Sequence, residues 1–139
     1  MSALWTSDEV QSALSAASIT APFEATGVTF DSRAVGPGDL FFALGGETTD
    51  GHAFVADALS RGAAAAVVSR DVEGPRGPLV RVPDTTKALV ELGRAARRRS
   101  AARIASVTGS VGKTSTKDAL RAMLSAEAPT SASVASYNN

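Results

Sequence analysis

Short apolar runs alternate with segments of helical periodicity along most of the chain. In the first such segment, Val10 and Leu14 recur on one face of a helix, and the residues from Thr6 to Glu9 precede them as a capping box. The side chains of Thr6 and Glu9 can then satisfy each other's backbone donors. The pattern predicts a first helix that begins after Thr6 and ends near Ala17.

Strand-like stretches follow this helix. "GVTFDSR" sets Val28 and Phe30 against polar neighbours, which predicts a half-buried strand. The segment from Leu40 to Leu44 follows a Pro-Gly turn, and "AAAAVVS" and "PLVRVPD" are further apolar runs on either side of the polar turn "RDVEGPRG". Between Leu44 and the first of these two runs, "GHAFVADALSRG" has helical spacing and Gly62 as its stop. Strands and helices alternate, which predicts an α/β fold.

The composition changes after Pro83. From Thr85 to Ser100 the pattern predicts a helix with Leu89 and Leu92 toward a core. Basic residues at its end suit the negative C-terminal end of the helix dipole. The change predicts a domain boundary near Pro83, with one domain over residues 1–83 and the start of a second over residues 84–139. The basic residues are Arg94, Arg97, Arg98 and Arg99.

Composition and charge exclude several classes of function. The 139 residues are 44% hydrophobic, which is enough to bury a core. The 14 basic residues balance 14 acidic ones, so no overall field favours nucleic acid or an anionic membrane. Cysteine is absent, which excludes a disulfide framework, and no apolar run approaches a membrane span. We therefore expect a cytoplasmic protein without nucleic-acid or membrane partners, and we interpret the arginine-rich helix end as a solvated face.

The stretch "ASVTGSVGKTSTKDAL" has the order of a phosphate-binding loop. It predicts a short strand from Arg103 to Val107, a glycine-bearing turn from Thr108 to Lys113 and a helix from Thr114 to Leu124. Glycines allow backbone N–H groups to converge on phosphate, the helix N-terminus adds a positive end, and the lysine reaches the outer phosphates. The usual pattern G-x-x-x-x-G-K-[ST] would need glycine where this chain has Val107, so the loop is shortened.

Two motifs resemble the Mur ligase family, the ATP-dependent enzymes that add amino acids to a UDP-linked muramoyl precursor of peptidoglycan. The shortened loop is similar to the family's ATP-binding loop, and "GVTFDSRAVGPGDLFFALGGETTDGHAF" is similar to its uridine-diphosphate domain. Within the family, "GSVGKTSTKD" and the late "YNN" look most like the member that adds D-alanyl-D-alanine to UDP-N-acetylmuramoyl-tripeptide. The sister member that adds the third amino acid also carries Asp-Ser-Arg and Pro-Gly-Asp-Leu.

The resemblance implies roles for particular residues. ATP and Mg²⁺ are the implied cofactors, with Lys113 as the catalytic residue and the Thr114 hydroxyl on the metal ion. The implied ATP-binding residues are Gly109, Ser110, Val111, Gly112, Lys113, Thr114 and Ser115. The implied substrate-binding residues, for a UDP-N-acetylmuramoyl-peptide, are Ser32, Arg33, Gly46, His52, Asn138 and Asn139.

The substrate-side residues also have simpler explanations. Ser32 and Arg33 follow a strand, where they can reach a uracil edge or a diphosphate, or serve only as turn residues. Gly46 lets a flat base approach the backbone, or belongs to a simple turn. His52 either touches phosphate or caps the helix that it begins.

The implied reaction is amide ligation. A substrate carboxylate attacks the γ-phosphate of ATP, and the amine of D-alanyl-D-alanine opens the resulting acyl phosphate. Because the chain ends inside what looks like the family's asparagine motif, we expect a monomeric N-terminal portion of a longer enzyme, inactive by itself. The competing hypothesis is a nucleotide-binding module without chemistry. A small-molecule kinase would leave the Asp-Ser-Arg segment unexplained.

Overall fold

The computed structural model describes residues 3–46, 49–74 and 76–133, and these divide into two compact units, Met1–Ser100 and Ala101–Asn139. The described strands, all in the first unit, are β1 (Trp5–Thr6), β2 (Ser18–Ile19), β3 (Glu24–Ala25), β4 (Gly27–Thr29), β5 (Asp39–Phe42), β6 (Ala65–Val68) and β7 (Leu79–Arg81). The described helices are α1 (Ser7–Ala13), α2 (Val55–Ser60), α3 (Thr85–Arg99) and α4 (Lys113–Ser125), and a 3₁₀ turn, Gly51–Phe54, leads into α2.

The centre of the first unit is a five-stranded sheet in the order β2-β7-β6-β5-β4. Strands β4, β5, β6 and β7 run parallel, and β2 is antiparallel to β7. Helix α2 connects β5 to β6, as a parallel pair requires. Strands β1 and β3 form a separate antiparallel pair. The α/β prediction is confirmed.

Side chains alternate between the two faces of the sheet and build a core on each. Phe41 faces the layer formed by α2, whereas Leu40 and Phe42 face the layer formed by α1 and α3. The inner strands β5 and β6 are buried on both faces because helices cover both, which explains their continuous apolar runs. The helical residues buried in these layers are Val55, Ala58 and Leu59 on one side and Val10, Ala88 and Leu92 on the other.

Helix α1 begins as predicted and ends earlier. The Glu9 N–H donates to the Thr6 hydroxyl at 3.3 Å, and the Thr6 N–H donates to the Glu9 carboxylate at 2.8 Å, so the capping box is confirmed. The helix ends at Ala13 rather than near Ala17, because Leu14 is extended and Ala16 adopts a left-handed φ of 57°. A helix cannot continue through those conformations.

Strand β4 is less buried than its alternation predicted. Val28 pairs with Leu40, so its side chain lies on the sheet face that α1 and α3 cover. Yet Val28 and Phe30 are 38% and 49% exposed. The reason is that β4 lies at an edge of the sheet, and the core on that face is built from the strands inside it.

Helix α3 packs against the sheet of the first unit, so the domain boundary lies after this helix and not before it. Ala88 and Leu92 are buried in its core, and the Thr85 hydroxyl donates to the Ala43 carbonyl at 2.9 Å. The structure therefore divides after Ser100, whereas the sequence placed the boundary near Pro83. The change of composition at Pro83 falls at the start of this helix, but the apolar face of the helix completes the core of the first unit.

The second unit contains α4, and residues 101–112 adopt neither helix nor strand. The strand predicted from Arg103 to Val107 is absent. A strand needs a hydrogen-bonded neighbour, and none of the described residues beyond Ser100 supplies one. No described side chain of α4 is buried, and Met123 is 71% exposed.

Candidate functional sites

The carboxyl ends of the parallel strands gather most of the predicted substrate residues at one edge of the sheet. Asp31 to Arg33 follow β4, Gly45 and Gly46 follow β5, and Ser69 and Arg70 follow β6. Ligands of open α/β sheets bind at this edge. The structure thus brings Ser32, Arg33, Gly46 and His52 to one end of the first unit.

A tight turn presents Arg33 after β4. The Arg33 backbone N–H donates to the Asp31 carboxylate at 3.0 Å, and its guanidinium donates through Nε at 2.9 Å and Nη2 at 2.8 Å. Through these bonds Arg33 lowers the pKa of Asp31 from 3.8 to about 2. The Arg33 side chain is 88% exposed, so the pairing orients the guanidinium while leaving it accessible. Ser32 is half-buried beside it.

The glycines after β5 lie in a closed loop. Gly45 forms an isolated bridge with Asp50, the Gly46 N–H donates to the Thr49 carbonyl at 3.0 Å, and the Gly51 N–H donates to the Leu44 carbonyl at 2.8 Å. Gly45 and Gly46 are exposed. A ligand can therefore approach the backbone there without meeting a side chain of these two residues.

His52 is buried, and both of its ring nitrogens are bonded within the protein. Nδ1 lies 2.6 Å from the Asp50 carboxylate, and Nε2 accepts from the Ser69 backbone N–H at 3.0 Å. The side-chain cap of the 3₁₀ turn is Asp50 rather than His52, because the Asp50 carboxylate accepts from the His52 N–H at 2.9 Å. Neither nitrogen is left to meet a phosphate directly.

The Asp50 carboxylate is contacted by both His52 and Arg70 at this edge of the sheet. Its pKa is lowered, chiefly by the hydrogen bond from the His52 backbone N–H and next by the bond to the His52 ring. Arg70 adds a salt bridge to the other carboxylate oxygen. A cavity of about 280 Å³ opens beside His52 and Arg70 and includes Asp71 and Glu73 in its lining.

The predicted phosphate loop has the backbone of an anion cradle. Gly109 and Gly112 adopt φ values of 150° and 79°, which side-chain-bearing residues rarely adopt. Gly112 is the N-cap of α4 and provides no side-chain cap, so the first N–H groups of the helix keep their role as donors. Lys113 folds back over the turn, and its ammonium group donates to the Gly109 carbonyl.

The surroundings of this loop also suit an anion. A cavity of about 530 Å³ is lined by Lys113 and Thr114 together with Lys117, Arg121 and Arg103, and no carboxylate is among the described residues that line it. Ser110, Val111, Thr114 and Ser115 are exposed on the same loop and first helical turn. The backbone, the lysine and the basic lining of the cavity are features that a ligand carrying phosphate would need.

Two predicted substrate residues, Asn138 and Asn139, lie outside the described residues. Across the parts of the chain that are described, no group of three or more histidine or acidic side chains could hold a metal ion. Thr114 is the Mg²⁺ ligand that the resemblance to the Mur ligases implies in this chain. None of the helices in the described ranges is both long and apolar enough to cross a membrane.

Comparison with known proteins decides the family. The model of the Mur ligase family catalytic domain matches residues 24–97, more than half of the chain. This chain belongs to the Mur ligase family. A UDP-N-acetylmuramoyl-tripeptide–D-alanyl-D-alanine ligase from Rickettsia prowazekii is 41% identical over 113 residues, which are 81% of this Mur ligase chain and 25% of the relative.

The other relatives include a different member of the family. A UDP-N-acetylmuramoyl-L-alanyl-D-glutamate–2,6-diaminopimelate ligase from Syntrophomonas wolfei is 39% identical over 104 residues, 73% of this chain and 21% of that protein. The chain spans about a quarter of the length of the curated relatives that it matches. The relatives therefore show the family, and they include two different ligases of it.

Solved structures agree with the fold. A crystal structure of MurF from Acinetobacter baumannii superposes with a TM-score of 0.78 at 36% identity, over 90% of this chain and 28% of that one. MurF ligase from Thermotoga maritima in complex with ADP superposes with a TM-score of 0.58 at 34% identity, over 72% of this chain and 23% of that one. The α/β architecture is that of these Mur ligases.

The sequence did not single out Asp50, Ser69 and Arg70 as site residues. Ser69 and Arg70 directly follow the buried strand β6, so the rule that ligands meet the carboxyl ends of parallel strands would have pointed to them. Asp50 lies inside the segment that resembles the uridine-diphosphate domain of the family, but it pairs with Arg70, which comes twenty residues later in the chain.

Proposed function

We propose that this chain supplies the uridine-diphosphate site and the ATP phosphate loop of an ATP-dependent amide ligase of peptidoglycan precursor synthesis. The reaction proposed is the addition of D-alanyl-D-alanine to UDP-N-acetylmuramoyl-tripeptide. The observation that carries the proposal is the left-handed glycine cradle before Lys113 in a chain of the Mur ligase family. The ADP complex of the Thermotoga maritima MurF ligase, a solved relative, supports a nucleotide at this family's site.

The second unit would hold the nucleotide. ATP supplies the phosphoryl group that activates the substrate carboxylate as an acyl phosphate. Lys113 and the amides of Gly109 to Gly112 would bind and neutralise the phosphate oxygens, and the Thr114 hydroxyl would hold Mg²⁺ in part. The fit is in the residues present: a cradle of positive-φ glycines, a lysine folded over it and a basic cavity beside it.

The first unit would hold the uridine diphosphate group. Arg33, oriented by Asp31 and exposed, is placed to pair with a diphosphate, and the half-buried Ser32 can donate its hydroxyl. Gly46 leaves the backbone open to a flat base. His52 would act on this site through Asp50 and Ser69 rather than by contact with phosphate.

The choice of family member rests on the relatives and on the loop. D-alanyl-D-alanine ligases are among the relatives, and so are diaminopimelate ligases at similar identity, so the sister reaction is the second candidate. We propose a monomer that acts in the cytoplasm. A module that binds nucleotides without chemistry is the competing proposal.

A ligation assay with the complete product of the gene separates these candidates. Incubation with MgATP, UDP-N-acetylmuramoyl-tripeptide and D-alanyl-D-alanine should release ADP and yield the pentapeptide product in the mass spectrum. A parallel incubation with MgATP, the UDP-linked dipeptide and diaminopimelate should give a ligated product if the sister reaction is the one catalysed. Binding of UDP and MgADP with neither product formed would favour the module without chemistry.

A further inference from the structure

Three segments of the first unit meet at the Asp50 side chain. Oδ1 accepts from the His52 backbone N–H at 2.9 Å and lies 2.6 Å from the His52 ring nitrogen Nδ1. Oδ2 pairs with the guanidinium of Arg70. Arg70 is the second residue after the end of β6, next to Ser69. Asp50 thereby fastens the glycine loop after β5 to the end of β6.

The His52 ring completes the same connection. A backbone N–H can only donate, so the bond from the Ser69 N–H at 3.0 Å requires a lone pair on Nε2. The ring proton then lies on Nδ1 and points to Asp50. The buried imidazole thus bridges the loop and β6 in one defined tautomer.

Among the described residues of the glycine loop, residues 45–46 and 49–51, the backbone hydrogen bonds join the loop to itself or to its own ends rather than to other strands. Its internal bonds join Gly46 to Thr49 and Gly51 to Leu44, and Gly45 and Gly46 are exposed. An isolated surface salt bridge contributes little, but the Asp50–Arg70 pair shares its carboxylate with two bonds from His52. The pair therefore acts as one member of a network that fixes the position of the loop.

We propose that Arg70, through Asp50, is a positioning residue that holds the glycine loop at Gly45–Gly46 in place for the uridine diphosphate ligand. The inference rests on the proposed function of this edge of the sheet. Arg70 acts through Asp50 and does not itself contact the ligand. Its loss would loosen the loop and weaken binding, while the sheet beneath would keep its structure.

The test measures UDP affinity of the 139-residue chain by chemical-shift titration. Arg70→Gln should raise the Kd about fivefold to tenfold, as expected for the loss of a charge-assisted bond that orders a site. Arg70→Lys should stay within about twofold of the wild type, because a single ammonium can replace a single guanidinium contact. The matched control is Arg61→Gln, which breaks a 3.0 Å pair with Asp57 on α2 and should leave the Kd unchanged.

A second variant keeps the test independent of how one substitution folds. Asp50→Asn cuts the same link from the other side, so it should weaken UDP binding as well. The double variant should be no weaker than the weaker single variant, because both remove one connection. Additive losses would overturn the proposal.

Amide hydrogen exchange distinguishes positioning from direct contact. In Arg70→Gln, the Gly46 and Gly51 amides should exchange faster, while the Ala66 amide, bonded to Pro78 at 3.1 Å in the sheet, should not change. Weaker UDP binding without faster loop exchange would mean that Arg70 touches the ligand, and a Kd within about twofold of the wild type would remove its role. If the wild-type chain gives no response to UDP, the proposed function itself fails.

Discussion

The guanidinium of Arg99 lies 3.6 Å from the centre of the Trp5 ring, so the last turn of α3 is fixed to the first strand of the chain. The same side chain pairs with Glu9 at 3.2 Å and donates to the Leu4 carbonyl. One of four arginines that suggested a solvated helix end is therefore a packing residue. This contact also explains why the first unit extends to Ser100.

Arg99→Ala should destabilise the first unit by about 1–2 kcal/mol, because it removes the cation–π contact with Trp5, the hydrogen bond to Leu4 and the ion pair with Glu9 together. Trp5 is the only tryptophan, so its fluorescence reports urea unfolding of this unit directly. Arg98→Ala is the matched control, since the structure gives the Arg98 side chain no hydrogen bond or ion pair among the described residues, unlike Arg99. Equal unfolding midpoints for the two variants would refute the packing role.

The position of the boundary gives a second prediction. A chain of residues 1–83 lacks Ala88 and Leu92, which are buried against the sheet, and the Thr85 bond to Ala43. It should be less stable than residues 1–100 by at least about 3 kcal/mol, the scale of an emptied core position. Circular dichroism during urea unfolding measures the difference. A fragment of residues 1–83 as stable as residues 1–100 would restore the boundary near Pro83.

The turn after β4 gives a pH prediction. The folded pKa of Asp31, about 2, is below its ordinary value of 3.8, so its pairing with Arg33 stabilises the fold above pH 3.8. That contribution should be lost as the pH falls from 3.8 to about 2. The ¹³C shift of the Asp31 carboxyl should titrate near 2, and Arg33→Ala should move the midpoint up toward 3.8. A midpoint near 3.8 in both proteins would show that the pair does not form.

Much of the fold could be predicted because its signals are local. The capping box of Thr6 and Glu9, the apolar run of β6 and the periodicity of α3 are each contained in a few consecutive residues. The exposure of Phe30 and the boundary after Ser100 could not be predicted, since they depend on which strand lies at the edge and which face α3 covers.

The candidate sites divide in the same way. The turn of Asp31 and Arg33 and the glycine cradle before Lys113 are local, and the structure forms both as single turns. The Asp50 network depends on Ser69 and Arg70, which reach it only through the pairing of β5 with β6. The pairing of β5 with β6 cannot be predicted from a pattern of a few consecutive residues.

Calorimetry of the 139-residue chain with UDP and with MgADP tests directly whether two ligand sites lie in two separate units. Arg33→Ala should weaken UDP binding about tenfold and leave MgADP binding unchanged, and the UDP affinity should fall with added salt. Lys113→Ala should abolish MgADP binding and leave the UDP affinity within about twofold of the wild type. An MgADP affinity that survives Lys113→Ala, or a UDP affinity that is lost with it, would contradict this assignment of the two sites.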